Sequence, residues 1–97
     1  MGIRVINPKD VQVLHDLALN GAQDTGGDAT APTGWFAILP FRGGWYVVTE
    51  GEWGDVSAFG YRSEFEASGH FDDLRDTYVR WLNGEEEKGN DGKGQGG

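Results

Sequence analysis

Apolar and polar positions alternate along this chain with periods that change from segment to segment, and each change marks an element. Ile3–Ile6 is a short β-prone run. Asn7-Pro8 then supplies a helix start, with Asn7 as the N-cap and Pro8 at the first helical position. Val11, Leu14, Leu17 and Ala18 recur at helical spacing, and Asn20-Gly21 gives the stop, so a helix is predicted over about 8–19. Residues 20–34 are polar and glycine-rich and read as a long connecting loop.

Three strands are predicted next. Trp35–Phe41 leads through Arg42-Gly43-Gly44 into Trp45–Glu50, and the paired glycines favour a tight hairpin. A second, acidic turn, Gly51–Asp55, precedes Val56–Arg62. Pro40 cannot donate to a ladder and belongs at a strand end or edge. The first two strands are apolar on both faces: Trp35, Ala37, Leu39 and Phe41 alternate with Phe36 and Ile38, and Trp45 and Val47 with Tyr46 and Val48. A half-buried strand would alternate apolar with polar, so either helices cover both faces or one face is kept for a partner.

Phe71, Leu74, Tyr78, Trp81 and Leu82 form an apolar stripe that predicts a second helix from about Gly69 or His70 to Asn83, with Ser68 as its N-cap. That start puts Asp72, Asp73 and Asp76 in its first turns, where the helix dipole favours acids. The fold class expected is α+β: a three- to four-stranded antiparallel meander with the C-terminal helix on one face and the N-terminal helix on the other face or an edge. Residues 1–84 read as one domain, and 85–97, acidic and glycine-rich, as a disordered tail.

Charge changes this picture more than composition does. The 97 residues carry a formal net charge of −8 and contain no cysteine. Disulfides and thiolate metal sites are thereby excluded, no cofactor motif is present, and a cytoplasmic location is expected. Neither a membrane nor direct nucleic-acid binding is expected, because phosphate contacts need Lys and Arg. Between Glu50 and Asp76 lie eight carboxylates, Glu50, Glu52, Asp55, Glu64, Glu66, Asp72, Asp73 and Asp76, against two bases, Arg62 and Arg75. Acids grouped on a rigid platform suit a basic surface, and carboxylates can take the place of phosphates there. Trp53, between glycines in the acidic turn, is the candidate anchor, since Trp is enriched at binding hot spots. Trp35, Trp45 and Trp81 fit regular patterns and are assigned to the core.

Catalysis finds little support. His15 and His70 make no metal-ligand spacing, Ser57, Ser63 and Ser68 sit in no nucleophile elbow, and the glycine pairs match no phosphate loop. The terminal Gly96-Gly97 resembles the ends of ubiquitin-like modifiers and sulfur-carrier proteins, but the predicted order of elements departs from their β-grasp. In size and charge the chain resembles phage-encoded inhibitors of host defence or transcription, including anti-restriction and anti-CRISPR proteins, a likeness that rests on no shared motif. The function expected is therefore non-enzymatic: binding and inhibition of a basic, nucleic-acid-handling partner protein through the eight acids and Trp53. The alternatives are an immunity-type protein with the same acidic chemistry, or a structural protein that docks or dimerises through an open apolar sheet face.

Overall fold

The computed structural model describes residues 2–84. Its order is β1 (Ile3–Arg4), α1 (Pro8–Gly21), β2 (Asp24–Gly27), β3 (Trp35–Phe41), β4 (Gly44–Glu50), β5 (Val56–Tyr61) and α2 (Glu64–Leu82). The strands form one antiparallel sheet in the order β1-β5-β4-β3-β2. The expected α+β class and the meander from β3 to β5 are present, with one more strand than the three or four anticipated.

Helices cover both faces of that sheet, which decides the choice left open by the doubly apolar strands. On one side Leu14 and Ala18 of α1 pack on Ala37, Leu39, Val48 and Ala58. On the other, Ala67 and Phe71 of α2 pack on Phe36, Ile38 and Val47. The open apolar sheet face invoked for a structural role is therefore occupied by α1. Trp35 and Trp45 are half-buried at the margins of these two cores, and Trp81 stacks on Tyr78 at 6.1 Å.

Helix α1 starts where expected, with the Asn7 side chain accepting from Lys9 N–H, and runs on to Gly21. Helix α2 starts earlier than expected. Ser63, rather than Ser68, is the N-cap: its Oγ accepts from Glu66 N–H and donates to the Glu66 carboxylate, both at 3.2 Å. Ser63-Glu64-Phe65-Glu66 has the Ser-x-x-Glu spacing of a capping box, and the paired bonds between Ser63 and Glu66 outweigh a lone Ser68. As a result Glu64 and Glu66 occupy the first turn, while Asp72, Asp73 and Asp76 lie mid-helix, beyond the reach of the dipole.

The predicted 20–34 loop contains β2. Asp24-Thr25-Gly26-Gly27 shows no apolar alternation, yet its backbone pairs with Trp35–Ile38. The glycines are required by the neighbouring ring: a Cβ at Gly26 would lie 2.7 Å from Phe36, and one at Gly27 (φ +73°) would run into the Gly34 carbonyl oxygen. Gly27→Ala combines that clash with the cost of a left-handed backbone, about 1–2 kcal/mol by itself. Urea unfolding should show a loss of at least that size, and an unchanged midpoint would contradict the close approach. Beyond β2, the Asp28 carboxylate accepts from Thr30 N–H and from the Tyr78 hydroxyl at 3.1 Å, which ties the segment to α2. Asp28 is held below the usual carboxylate range, first by its bond from the Thr30 side chain.

The β3–β4 hairpin closes over two residues, Arg42 (φ 49°) and Gly43 (φ 82°), both left-handed as the right-handed twist of a two-residue hairpin demands. The Arg42 guanidinium lies 4.9 Å from the Phe41 ring centre.

Candidate binding surface

Strand alternation and helix position sort the eight carboxylates onto different sides of the molecule. Glu50 alternates with Val48 and Tyr46 onto the α1 side, where its Oε1 lies 2.8 Å from His15 Nε2. The carboxylates of α2, Glu64, Glu66, Asp72, Asp73 and Asp76, lie beyond the opposite face. Glu52 and Asp55 occupy the β4–β5 turn at one end of the sheet. The eight acids share no single face, because a sheet with a helix on each side separates them.

Several are also engaged internally. Glu64 accepts from Gln23 at 2.9 Å, and Glu66 takes part in the Ser63 cap. Asp72 pairs with Arg75 at 2.7 Å and Asp76 with Arg80 at 3.1 Å. These are exposed helix pairs of the kind that contribute a few tenths of a kcal/mol each. They stay near solvent and can exchange partners at low cost. Asp72, Asp73 and Asp76, together with the 87 % exposed ring of Phe65, lie on the outward side of α2.

Trp53 is the most exposed large side chain at the acidic turn, at 88 %. The turn that carries it is closed by Gly51 N–H to the Asp55 carbonyl and Gly54 N–H to the Gly51 carbonyl, both 3.0 Å. Gly54 takes φ +78°. An aromatic ring of roughly 150–250 Å² left in water forgoes several kcal/mol of burial. Its backbone is nevertheless fixed, so the ring is presented in advance of any contact. Glu52 and Asp55 on either side are exposed.

His15 was the pairing that sequence reasoning missed. It lies on the flank of α1 that also carries Val11 and Ala18, and its ring meets Trp35 edge-on at 6.3 Å. Helical spacing places it against the sheet, but its partner is 35 positions away and no local pattern names it. The second histidine has a different setting. The Tyr61 hydroxyl and His70 Nδ1 are hydrogen-bonded at 2.6 Å, and Phe59 packs edge-on to the imidazole at 5.2 Å. Burial pushes His70 below its ordinary 6.5, against the opposing charge of Asp73. The unfolded chain therefore takes up this proton first, and stability falls as pH drops from about 6.5 through the lower folded value. His70→Gln should flatten that fall in urea midpoints compared between pH 7.5 and 5.5. An equal fall in both proteins would remove His70 as its source.

Among the described residues, no group of three or more His, Asp or Glu is placed to hold a metal ion. No helix among them is long and apolar enough to cross a membrane. Comparison with known proteins finds no matching family model, no matching curated protein and no matching solved structure. The terminal Gly96-Gly97 lies outside the described residues.

Proposed function

We propose that this is a small, acidic, non-enzymatic protein that binds and inhibits a basic, nucleic-acid-handling partner, with Trp53 as the anchor of the contact. The observation that carries this reading is the 88 % exposed indole on a hydrogen-bonded turn, flanked by the exposed carboxylates Glu52 and Asp55. An aromatic anchor ringed by charge is the usual anatomy of an interface centre and rim. The net charge of −8 selects a basic partner and steers its approach. Carboxylates seated on Lys and Arg that otherwise grip phosphate would exclude nucleic acid, which is how binding becomes inhibition. Phage-encoded inhibitors of the anti-restriction or anti-CRISPR type work on partners of this chemistry, and the chain resembles them in size and charge.

The acids contribute unequally in this account. Glu52 and Asp55 touch the partner beside Trp53, and the outward aspartates of α2 add long-range attraction. Glu50 is held by His15 and serves the fold. Affinity capture from nuclease-treated bacterial lysate tests the proposal, with the wild-type chain beside a Glu52→Lys/Asp55→Lys variant and a mass-spectrometric readout. A nucleic-acid enzyme kept by the first and lost by the second supports it, and partners kept equally by both contradict it. The complex should also weaken with salt, because exposed pairs are screened within ~8–10 Å.

A further inference from the structure

A second surface lies at the opposite kind of site, the edge of the sheet at β1. Val5 N–H bonds to the Ala58 carbonyl at 2.8 Å, and the register places Arg4 opposite Phe59. Antiparallel alternation therefore turns the Arg4 N–H and C=O away from β5, toward solvent. No strand among the described residues pairs with that side.

Two grooves meet along this edge. One, of ≈ 510 Å³, is walled by Val5, Ile6, Pro8, Val11, His15 and Val56. The other, of ≈ 330 Å³, is walled by Ile3, Val5, Tyr46, Gly60 and Arg62. Both also include Arg4, so they run end to end beside β1. Val5 and Tyr46 belong to the α1-side core, and a Cβ at Gly60 would lie 2.9 Å from the Tyr46 ring. Val5, Tyr46 and Gly60 thus place walls of both grooves on the α1 side, while Tyr61, which also lines the second, packs with the α2-side core. Ile3 and Ile6, at 74 % and 87 % exposed, stand over them.

Charge marks the same edge. Arg75 and Arg80 are ion-paired within α2. Arg4 has only a 3.4 Å contact to Ser57 Oγ, with no carboxylate partner among the described residues. The Arg4 guanidinium reaches Ser57, on the α2 side of the sheet.

We propose that β1 accepts an extended segment of a partner protein as a sixth strand, with apolar side chains at positions i and i+2 in the two grooves and a carboxylate at i+1 beside Arg4. Side chains two apart in a strand share a face and lie ~6.6–6.8 Å from each other, so two of them can face the two adjoining grooves. Strand addition takes its affinity from main-chain bonds and its selectivity from pockets for alternate side chains. A second copy of this chain fits less well: the antiparallel register that pairs most of β1 sets Arg4 directly opposite its own twin, and like charges so placed repel. The contact is independent of the Trp53 surface and stands or falls separately.

The peptide acetyl-Ser-Thr-Val-Glu-Val-Thr-Ser-amide carries the required pattern, and amide-resolved NMR of the full chain reads its binding. Saturable shifts at Arg4, Ile6 and Val11, with slowed hydrogen exchange at the Arg4 amide, are expected. Changing the central Glu of the peptide to Lys should weaken binding about threefold, the scale of one exposed ion pair. Arg4→Glu, which leaves the backbone intact, should reverse that preference. Arg4→Pro, which removes the outward N–H together with the guanidinium and spares the Val5 N–H bond to Ala58, should abolish the shifts where Arg4→Glu keeps them. Absence of saturable shifts at millimolar peptide, or a peptide preference unmoved by Arg4→Glu, overturns the proposal. So does a concentration-dependent dimer that Arg4→Pro dissolves, which would assign the edge to self-pairing.

Discussion

Replacing Trp53 by alanine should weaken the complex with the basic partner by about 2 kcal/mol or more, roughly thirtyfold in Kd, the scale of a hot-spot truncation. The same change should leave unfolding almost untouched. The indole is 88 % exposed and its turn is closed by backbone bonds that the side chain does not make. Surface substitutions of this kind stay within about 0.5 kcal/mol. Titration calorimetry against the captured partner, beside a urea melt of the variant alone, separates the two effects. Equal affinity with an unchanged melt would mean that Trp53 is not at the interface. A large loss of stability would mean that the ring supports the fold.

Phe36→Ala should do the reverse, costing about 3–5 kcal/mol of stability. Phe36 is fully buried, and its ring meets Phe71 at 5.2 Å and Tyr78 at 6.4 Å, both edge-on. It also fills the space that Gly26 and Gly27 leave open. One side chain therefore joins β2, β3 and α2, and its truncation leaves a cavity that three elements border. Such a loss approaches the low end of a small domain's total stability, so the variant should be partly unfolded at 37 °C. A loss under about 1 kcal/mol in a urea titration would show that the cavity collapses, and that this core is not the fold's main support.

The elements that the sequence announced were those with dense local signals. Asn7-Pro8 names the start of α1, and the doubly apolar β3 and β4 require cover on two faces. What stayed hidden was set by distant contacts. Strand β2 is held by ladder bonds and by a ring from β3, so its own residues, Asp-Thr-Gly-Gly, resemble a loop. The α2 start was legible in the Ser63–Glu66 spacing, but the apolar stripe beginning at Phe71 drew the boundary inward. For the surface, Trp53 could be picked out by its glycine neighbours and its acids. Whether eight carboxylates share a face depends on which strand and which helix carries each one. Nearness along the chain does not tell the two sides of a sheet apart, and Glu50 ends up across it from Asp72, Asp73 and Asp76.

The division of labour among the acids follows from that topology. A tip that touches and a helix that attracts from a distance should differ in kinetics. Losing tip contacts speeds dissociation, while losing remote charge slows association and flattens its salt dependence. Asp72→Lys/Asp73→Lys/Asp76→Lys should therefore lower the on-rate several-fold at low ionic strength and leave the off-rate nearly constant.

The most direct test of the Trp53-centred surface is surface plasmon resonance against the captured partner, comparing wild type, Trp53→Ala with Glu52→Lys and Asp55→Lys, and the triple α2 variant, at low and high salt. The tip variant should dissociate much faster at both salt concentrations, and the α2 variant should associate more slowly at low salt alone. Fast dissociation in the α2 variant with an unaltered tip variant would place the contact on the outer face of the helix and contradict the account.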